Sequence, residues 1–284
     1  MYKYKITYTN SKNETITLGK ESDVWLDEND LFNYEWDYVT AQRKLVATSR
    51  DVTEIPVKLL FLNGDSDTTI NHFLQVMDYD ARMKQPGTLT VNGYDRRGVF
   101  VSGSTEDYMY KRGLMYRDMR FLALDQDWTK RNVETLEPQI ASSEEEQMQY
   151  PHDYPHDYGG TVAPSSFVNP SSFPSEFLLR IYGPCTDPYV LIGDNLYAVN
   201  CTVQEGGFLI IDSTDRSAIY NYNAAGVAQN VFDAATMGAE GSGQYIYELI
   251  PPGTNQVSWP NNFKLDIETL EAVSVPPAWS SDEQ

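Results

Sequence analysis

The sequence is poor in cysteine and histidine, and both shortages exclude whole classes of site. Only two cysteines occur among 284 residues, Cys185 and Cys201, and they do not form a CxxC pair. A disulfide framework is therefore excluded, and a zinc site is disfavoured. We interpret both cysteines as small buried apolar residues. The three histidines do not suggest a serine–histidine–acid triad, because one belongs to a helical pattern and two belong to a proline-rich segment.

Long apolar runs are also missing. The longest near-continuous one, Val57 to Leu62, is far shorter than the roughly 18 residues that span a bilayer. The first ten residues alternate polar and apolar side chains and lack the apolar core of a signal peptide. We therefore expect no membrane insertion and synthesis in a cytosol.

Basic residues are scarce, especially in the second half of the chain. The net charge is −20, from 21 Lys and Arg against 41 Asp and Glu. Residues 1–148 hold 18 basic and 25 acidic side chains, whereas residues 149–284 hold 3 and 16. Binding to nucleic acid phosphates needs a basic surface, so specific nucleic acid binding is disfavoured. The abrupt change in charge indicates that two separately composed units meet near residue 148.

Aromatic residues, by contrast, are abundant. They make up 13% of the chain and include 20 tyrosines, which is enough to build a sizeable core. Short runs of alternating apolar and polar residues between turn residues predict a mainly β fold.

One segment repeats its apolar residues at helical spacing. It follows an N-cap at Asp67 or Thr68 and ends before Pro86-Gly87, which predicts one amphipathic helix. His72 lies off the apolar stripe and is expected to face solvent or a partner. The predicted stripe consists of Ile70, Phe73, Leu74, Met77 and Ala81.

These patterns predict two domains and a connection. An N-terminal β domain that contains the helix occupies residues 1–147, a proline- and serine-rich connection occupies 148–174, and a β-sandwich occupies 175–284. The connection contains the tandem repeat Tyr-Pro-His-Asp. Its prolines impose an extended backbone that places His152 and His156 roughly 12 Å apart. We therefore interpret the repeat as a stiffened joint that binds no metal.

Two acidic motifs resemble functional sites only superficially. Asp212, Asp215 and Arg216 have the spacing of a polar turn between strands, whereas a glycosidase needs two carboxylates that face each other across a cleft. Asp65 and Asp67 lack the glycine and the closing glutamate of a calcium loop, and a helix cap explains them better.

Two further segments also favour a structural interpretation. Gly238 to Gln244 is glycine-rich but lacks the Lys-Ser/Thr pair of a phosphate loop. Glu144 to Glu146 is typical of a solvated surface segment. The sequence therefore predicts no catalytic, cofactor-binding or metal-binding residues, and a protein that is not an enzyme.

Several motifs together resemble a known family. They are FLLRIYGPCTDPYVLIGDNLYAVNCTV, FLIIDSTDRSAIY, PPGTNQVSW and a closing PPAW in the second half, and RFLALDQDWTK in the first half. The chain resembles, over nearly its whole length, the distal tail (Dit) proteins of siphophages, whose C-terminal domain is a galectin-like sandwich. Gln126 stands where that family commonly has a proline.

The resemblance implies a structural role. In the family, the N-terminal domain closes a hexameric ring around the tail channel, and the galectin-like domain lies on its outer side. The implied partners are other copies of the chain, the tail tube protein, a tail tip hub or tail-associated lysin, and receptor-binding or fibre proteins. The implied location is the tail tip of a virion or of a phage-derived particle assembled from protein made in the host bacterial cytoplasm.

Two other classes of function are alternatives. A carbohydrate- or receptor-binding β-sandwich would need exposed aromatic residues beside polar groups, for which Trp259 and Trp279 are the candidates. A glycoside hydrolase would need two carboxylates about 5–10 Å apart in a cleft.

We predict that the histidines and aspartates at positions 152, 153, 156 and 157 bind no metal. Thermal melting with zinc, with nickel and with EDTA should give the same midpoint within error, because a tightly bound ion stabilises the folded state by mass action. A stoichiometric ion that raises the midpoint would contradict this, and a variant with both histidines changed to alanine supplies the control.

Overall fold

The computed structural model describes residues 5–19, 22–62, 67–109, 113–138 and 165–277, with backbone alone at 67–69 and 106–109. The chain forms two compact units. Unit 1 consists of Met1–Lys130 together with Ala272–Gln284, and unit 2 consists of Arg131–Glu271. Each unit has its own hydrophobic core. Unit 2 is therefore inserted, in sequence, into unit 1.

Unit 1 consists mainly of strands, which alternate between buried and exposed side chains. In β6, for example, Ile55, Val57, Leu59 and Phe61 are buried, as expected for strands with one face toward a core. The strands are β1 (Ile6–Thr9), β2 (Thr15–Thr17), β3 (Val24–Asn29), β4 (Asp37–Ala41), β5 (Lys44–Ser49), β6 (Thr53–Phe61), β7 (Gly87–Val91), β8 (Tyr94–Met109), β9 (Leu114–Ala123) and β10 (Trp128–Leu136).

The strands of unit 1 pair antiparallel in the order β2–β1–β7–β8–β9–β6–β3. The long strand β8 also pairs with β10 at Asp95 and Thr129. The hairpin β4–β5 pairs only with itself among the described strands. The chain enters unit 2 within β10, after Lys130.

The predicted helix is present as α1, Asp67–Met83, and its predicted orientation needs one correction. Phe73 and Met77 are buried as expected, and His72 is exposed. Ala81 is exposed as well, however, because the helix turns the neighbouring Asp80 into the interior instead. No helix in the described ranges is long and apolar enough to cross a membrane.

Asp80 is buried because the loop after β1 supplies its hydrogen-bond donors. The hydroxyl of Tyr8 donates to Oδ2 at 2.5 Å, and the backbone N–H and hydroxyl of Ser11 donate to Oδ1 at 2.9 and 2.6 Å. Burial, reinforced by Asp80, raises the pKa of the Tyr8 hydroxyl, so it remains a donor. A side chain at Gly87 would lie 2.5 Å from Asp80 Oδ2 and from the Tyr8 hydroxyl oxygen, which leaves room only for glycine.

Unit 2 is a β-sandwich of two main antiparallel sheets. Its strands are β11 (Ser165–Asn169), β12 (Phe177–Tyr182), β13 (Cys185–Thr186), β14 (Tyr189–Ile192), β15 (Asn195–Ala198), β16 (Thr202–Val203), β17 (Phe208–Asp212), β18 (Ile219–Tyr222), β19 (Ala228–Asn230), β20 (Gly253–Ser258) and β21 (Leu265–Val273). One sheet runs β19–β18–β17–β12–β21, and the other runs β11–β20–β14–β15. Strands β13 and β16 form a separate short pair. A short 3-10 helix spans Phe232–Ala234.

The two sheets of unit 2 share one core. Phe177 and Leu179 come from the first sheet, and Val190 and Val257 come from the second. Polar side chains also tie β10 and β12 to β21. The Thr135 and Tyr182 hydroxyls donate to the two carboxylate oxygens of Asp266 at 2.7 and 2.6 Å. The prediction of a mainly β fold is therefore confirmed.

The compact units do not follow the domain boundaries expected from the sequence. The boundaries expected from the sequence give a connection at 148–174 and a domain at 175–284, whereas unit 2 begins at Arg131 and ends at Glu271. Part of the expected connection, Ser165–Asn169, is strand β11, because it pairs in register with β20 over its whole length. The Tyr-Pro-His-Asp repeat lies outside the described residues.

We predict that Asp80→Ala lowers the free energy of unfolding of unit 1 by about 2–4 kcal/mol, because it leaves buried donors of Tyr8 and Ser11 unpaired. The matched control is Asp78→Ala on the same helix, where the exposed pair with Arg82 should contribute at most about 0.5 kcal/mol. Urea denaturation measures both. Equal losses for the two variants would contradict the role assigned to Asp80.

Candidate functional site

The surface that stands out in unit 1 is the hairpin formed by β4 and β5. Every residue of both strands is exposed. Tyr38 and Leu45 are 71% and 64% exposed, although such side chains are normally buried. Tyr34 and Val46 add further exposed apolar area next to them. Large contiguous apolar patches on protein surfaces are typical of interaction sites.

Both faces of the hairpin carry apolar side chains. Tyr38 lies opposite Thr48, and Val39 lies opposite Ala47 on the other face. The register shifts after Val39. An isolated two-stranded hairpin is only marginally stable in water. We therefore expect the hairpin to be stabilised by a partner that covers it.

The turn of the hairpin has an unusual sequence. Gln42 and Arg43 form the two-residue loop with φ angles of 50° and 64°. These left-handed values match the turn that joins tight hairpins, where asparagine and glycine are preferred. Gln42 and Arg43 therefore occupy a conformation that costs their backbones energy. Next to them, Lys44 adds a second positive charge at the tip.

The base of the hairpin is held by Arg50, which is only 6% exposed. Its guanidinium lies 4.2 Å from the ring centroid of Trp36, which precedes β4. It also forms a salt bridge with Asp127. Burial lowers the pKa of Arg50, and its Nε has no hydrogen-bond partner. Arg50 thus joins the two ends of the hairpin to the turn that precedes β10.

A second buried arginine bonds to the same turn. Arg96 donates from Nε to the carbonyl oxygen of Asp125 at 2.9 Å and from Nη2 to that of Gln126 at 3.2 Å. Its guanidinium lies 5.7 Å from the ring centroid of Trp128. Burial, with repulsion from Arg50, lowers the pKa of Arg96 to about 10. The neighbouring Arg97 binds the Asp125 carboxylate at 2.8 Å.

A cleft of about 360 Å³ opens beside the hairpin base. Arg50 and Arg96 line it, together with five exposed carboxylates. The carboxylates belong to Asp30, Glu35, Asp37, Asp51 and Glu54. Because both arginines are buried and engaged with the turn, the accessible part of the cleft is predominantly acidic.

The acidic residues interpreted from the sequence as a polar turn form hydrogen bonds within that turn. Asp212 accepts hydrogen bonds from the backbone N–H and hydroxyl of Thr214 at 2.9 and 2.7 Å. Asp215 accepts the corresponding bonds from Ser217 at 3.2 and 2.5 Å, and these bonds lower its pKa. Arg216 bonds to the carbonyl oxygen of Ser213. The motif therefore stabilises a turn, as the sequence indicated.

The two cysteines are free thiols. Cys185 is buried and Cys201 is partly buried. Burial raises the pKa of both, that of Cys185 to about 11. Thiols with raised pKa values are poor nucleophiles and poor metal ligands. The described residues contain no group of three or more His, Cys, Asp or Glu side chains arranged to hold a metal ion.

Of the two tryptophans considered for sugar binding, the structure describes one. Trp259 packs against the core of unit 2, and its indole N–H donates to the carbonyl oxygen of Phe263 at 3.1 Å. Both ends of this side chain are therefore used within the fold. Trp279, Asp65 and the run Glu144 to Glu146 lie outside the described residues.

Sequence reasoning recognised part of the hairpin surface and missed its base. The segment Leu31 to Val39 is rich in aromatic residues in the sequence; Leu31 is buried in the core, and the exposed apolar area begins at Tyr34. Arg50 and Arg96 carry no recognisable motif. The signal that could have indicated them is the acidic turn before Trp128, because buried arginines need carboxylate or carbonyl partners.

The sequence matches no protein-family model and no curated protein. Its fold, however, is found in solved structures. SPP1 Dit (gp 19.1), described as a paradigm of the hub adsorption apparatus of phages that infect Gram-positive bacteria, has a TM-score of 0.57 at 9% identity, over 95% of this chain and 99% of that chain.

Two structures of the phage P2 baseplate in its activated conformation are also similar. The one with Ca has a TM-score of 0.60 at 14% identity, and the one with Sr has 0.59 at 15%. Both matches cover 97% of this chain and 100% of the other. The resemblance to Dit proteins that the sequence motifs indicate is therefore confirmed at the level of the fold.

We predict that Arg50→Ala loosens the hairpin without unfolding unit 1. The change leaves Asp127 without its cation and removes the contact with Trp36, so amides of β4 and β5 should exchange hydrogen at least about tenfold faster. Hydrogen exchange with mass spectrometry measures this. The matched control is Arg82→Ala on α1, an exposed arginine whose loss should leave the hairpin unchanged. If the amides of β4 and β5 exchanged at the same rate in Arg50→Ala as in the wild type, the role assigned to Arg50 at the hairpin base would be wrong.

Proposed function

We propose that this protein is a structural component of a phage or phage-derived tail tip, in which copies of the chain form a ring. The fold that it shares with SPP1 Dit and with a chain of the phage P2 baseplate supports this function. The observation that carries the proposal of self-assembly is the exposed apolar hairpin of unit 1, because it needs a covering partner.

Charge favours unit 1 as the assembling part. Residues 1–148 have nearly balanced charge, with 18 basic and 25 acidic side chains, whereas residues 149–284 hold 3 and 16. Copies of the first part approach each other with less repulsion than copies of the second. A head-to-tail contact must close into a ring, or else it grows into a filament. We propose six copies, the number implied by the family resemblance.

The ring would join the tail tube to the tip. We propose that its partners are the tail tube protein, the tip hub or tail-associated lysin, and receptor-binding or fibre proteins. The β-sandwich of unit 2, proposed to be galectin-like, would face these outer partners. Synthesis in the host bacterial cytoplasm precedes assembly at the virion tail tip. A ring around a channel for DNA should not bind phosphate strongly, which agrees with a net charge of −20.

We propose a structural protein and not an enzyme, because the carboxylates of the most suggestive motif, Asp212 and Asp215, bond within their own turn. A carbohydrate-binding module is the alternative function. It has less support, since Trp259 is partly buried against the core of unit 2 and its indole N–H donates to the carbonyl oxygen of Phe263. Binding on a glycan array would favour the alternative.

We predict that Tyr38→Ser combined with Leu45→Ser weakens ring assembly of the full chain at least about tenfold, because two large apolar side chains lose their buried contacts. Light scattering over a concentration series and class-averaged electron micrographs measure assembly. The wild type should give a six-fold ring at high concentration.

The control combines Val168→Ser with Val227→Ser in unit 2. These valines are 64% and 63% exposed, which is similar to Leu45 at 64%. The control should assemble as the wild type does. If it lost the ring while the hairpin variant kept it, unit 1 would not be the assembling part.

A further inference from the structure

The two ends of the exposed hairpin differ in charge. At the tip, Arg43 and Lys44 are exposed, and neither forms an ion pair with a described side chain. Because Arg43 and Lys44 lie at the end of the exposed apolar hairpin, they are the first groups that an approaching protein would meet.

The base of the same hairpin is acidic. Of the five carboxylates around the cleft, Glu54 is paired with Arg120 at 2.8 Å, and Asp30 accepts a hydrogen bond from Asn33 at 2.8 Å. Glu35, Asp37 and Asp51 are exposed and form no ion pair with another described side chain. Three carboxylates thus remain available to a cationic partner.

We infer that the tip of one chain's hairpin docks into the acidic cleft at the hairpin base of a second copy, with Arg43 and Lys44 facing Glu35, Asp37 and Asp51. This inference rests on the proposed function, since it specifies the contact between copies. Opposite charges at close range steer association and fix its register.

The tip cannot reach the cleft of its own chain. It lies six residues beyond Asp37, or about 20 Å along a strand. The paired strands hold the tip away from the base, so the contact must be intermolecular. A contact between two different surfaces is heterologous and generates a ring when its rotation closes.

The apolar side chains agree with this arrangement. A second copy bound at the tip would also lie along the hairpin and cover its exposed apolar side chains, which are Tyr38, Val39, Leu45 and Val46. The sequence of the turn agrees as well. Arg43 has a φ of 64°, where glycine would be the easier residue, so the cation stands at the tip at a conformational cost.

Charge exchange in the full chain tests the inference. The tip variant combines Arg43→Glu with Lys44→Glu, and the cleft variant combines Asp37→Lys with Asp51→Lys. Each should weaken self-association at least tenfold in sedimentation velocity, and the four changes together should restore it at least in part. Raising the salt concentration should weaken the wild type. The matched control for the tip variant combines Arg82→Glu, in the last turn of α1, with Lys84→Glu just after the helix; it changes the charge by the same amount and should assemble normally.

Crosslinking identifies the contact directly. A carbodiimide joins lysine to carboxylates without a spacer, and a mixture of ¹⁴N and ¹⁵N chains distinguishes links between copies. Mixed-isotope links from Lys44 to Glu35, Asp37 or Asp51 are expected. Six-fold rings that persist in both charge variants, or links from Lys44 only to other surfaces, would overturn the contact and leave the proposed function standing. A wild type that stays monomeric at every concentration would overturn both.

Discussion

Three arginines converge on one short turn, and the position of the exposed hairpin of unit 1 depends on that convergence. Arg50 binds Asp127, Arg96 binds the carbonyl oxygens of Asp125 and Gln126, and Arg97 binds the Asp125 carboxylate. Burying guanidinium groups is costly unless each finds a partner. The turn supplies both carboxylates and carbonyls within three residues. The hairpin base and the start of β10 are therefore fixed by the same set of bonds.

Unit 1 contains a second polar network with a different task. Asp80 joins α1 to the loop after β1, and it lies where a helix would normally bury an apolar residue. Both carboxylate oxygens of Asp80 accept hydrogen bonds within unit 1. Asp80 therefore fixes α1 against the loop after β1 and is buried away from any partner. Unit 1 thus combines a rigid body with a hairpin whose apolar groups remain uncovered. In unit 2, Asp212 and Asp215 accept hydrogen bonds that stabilise a turn.

Local patterns in the sequence were enough to predict the helix and the mainly β character of the chain. They did not show which distant residues pack or pair with these elements. The spacing of apolar residues identified α1, yet it placed Ala81 on the buried face, since the donors that bury Asp80 lie near residue 10. Proline and serine made 148–174 look like a connection, but Ser165–Asn169 pairs with a strand some 90 residues later. Alternation predicted strands in unit 1 and did not show that β4 and β5 leave the core. Arg50 and Arg96 were missed because their partners are distant in sequence.

Unit 2 is inserted between Lys130 and Ala272, so unit 1 is built from two separate stretches of the chain. A fragment that ends near residue 147 would not be a complete first unit, because it lacks Val273, which packs against the core of unit 1, and Pro277, whose carbonyl accepts a bond from Asn92. Separating the units requires two cuts and a rejoined chain. By the same logic, a different insert between these two points could replace unit 2 while the first unit keeps all its own residues. Unit 2 could then be exchanged as a whole without any change in the sequence of the hairpin.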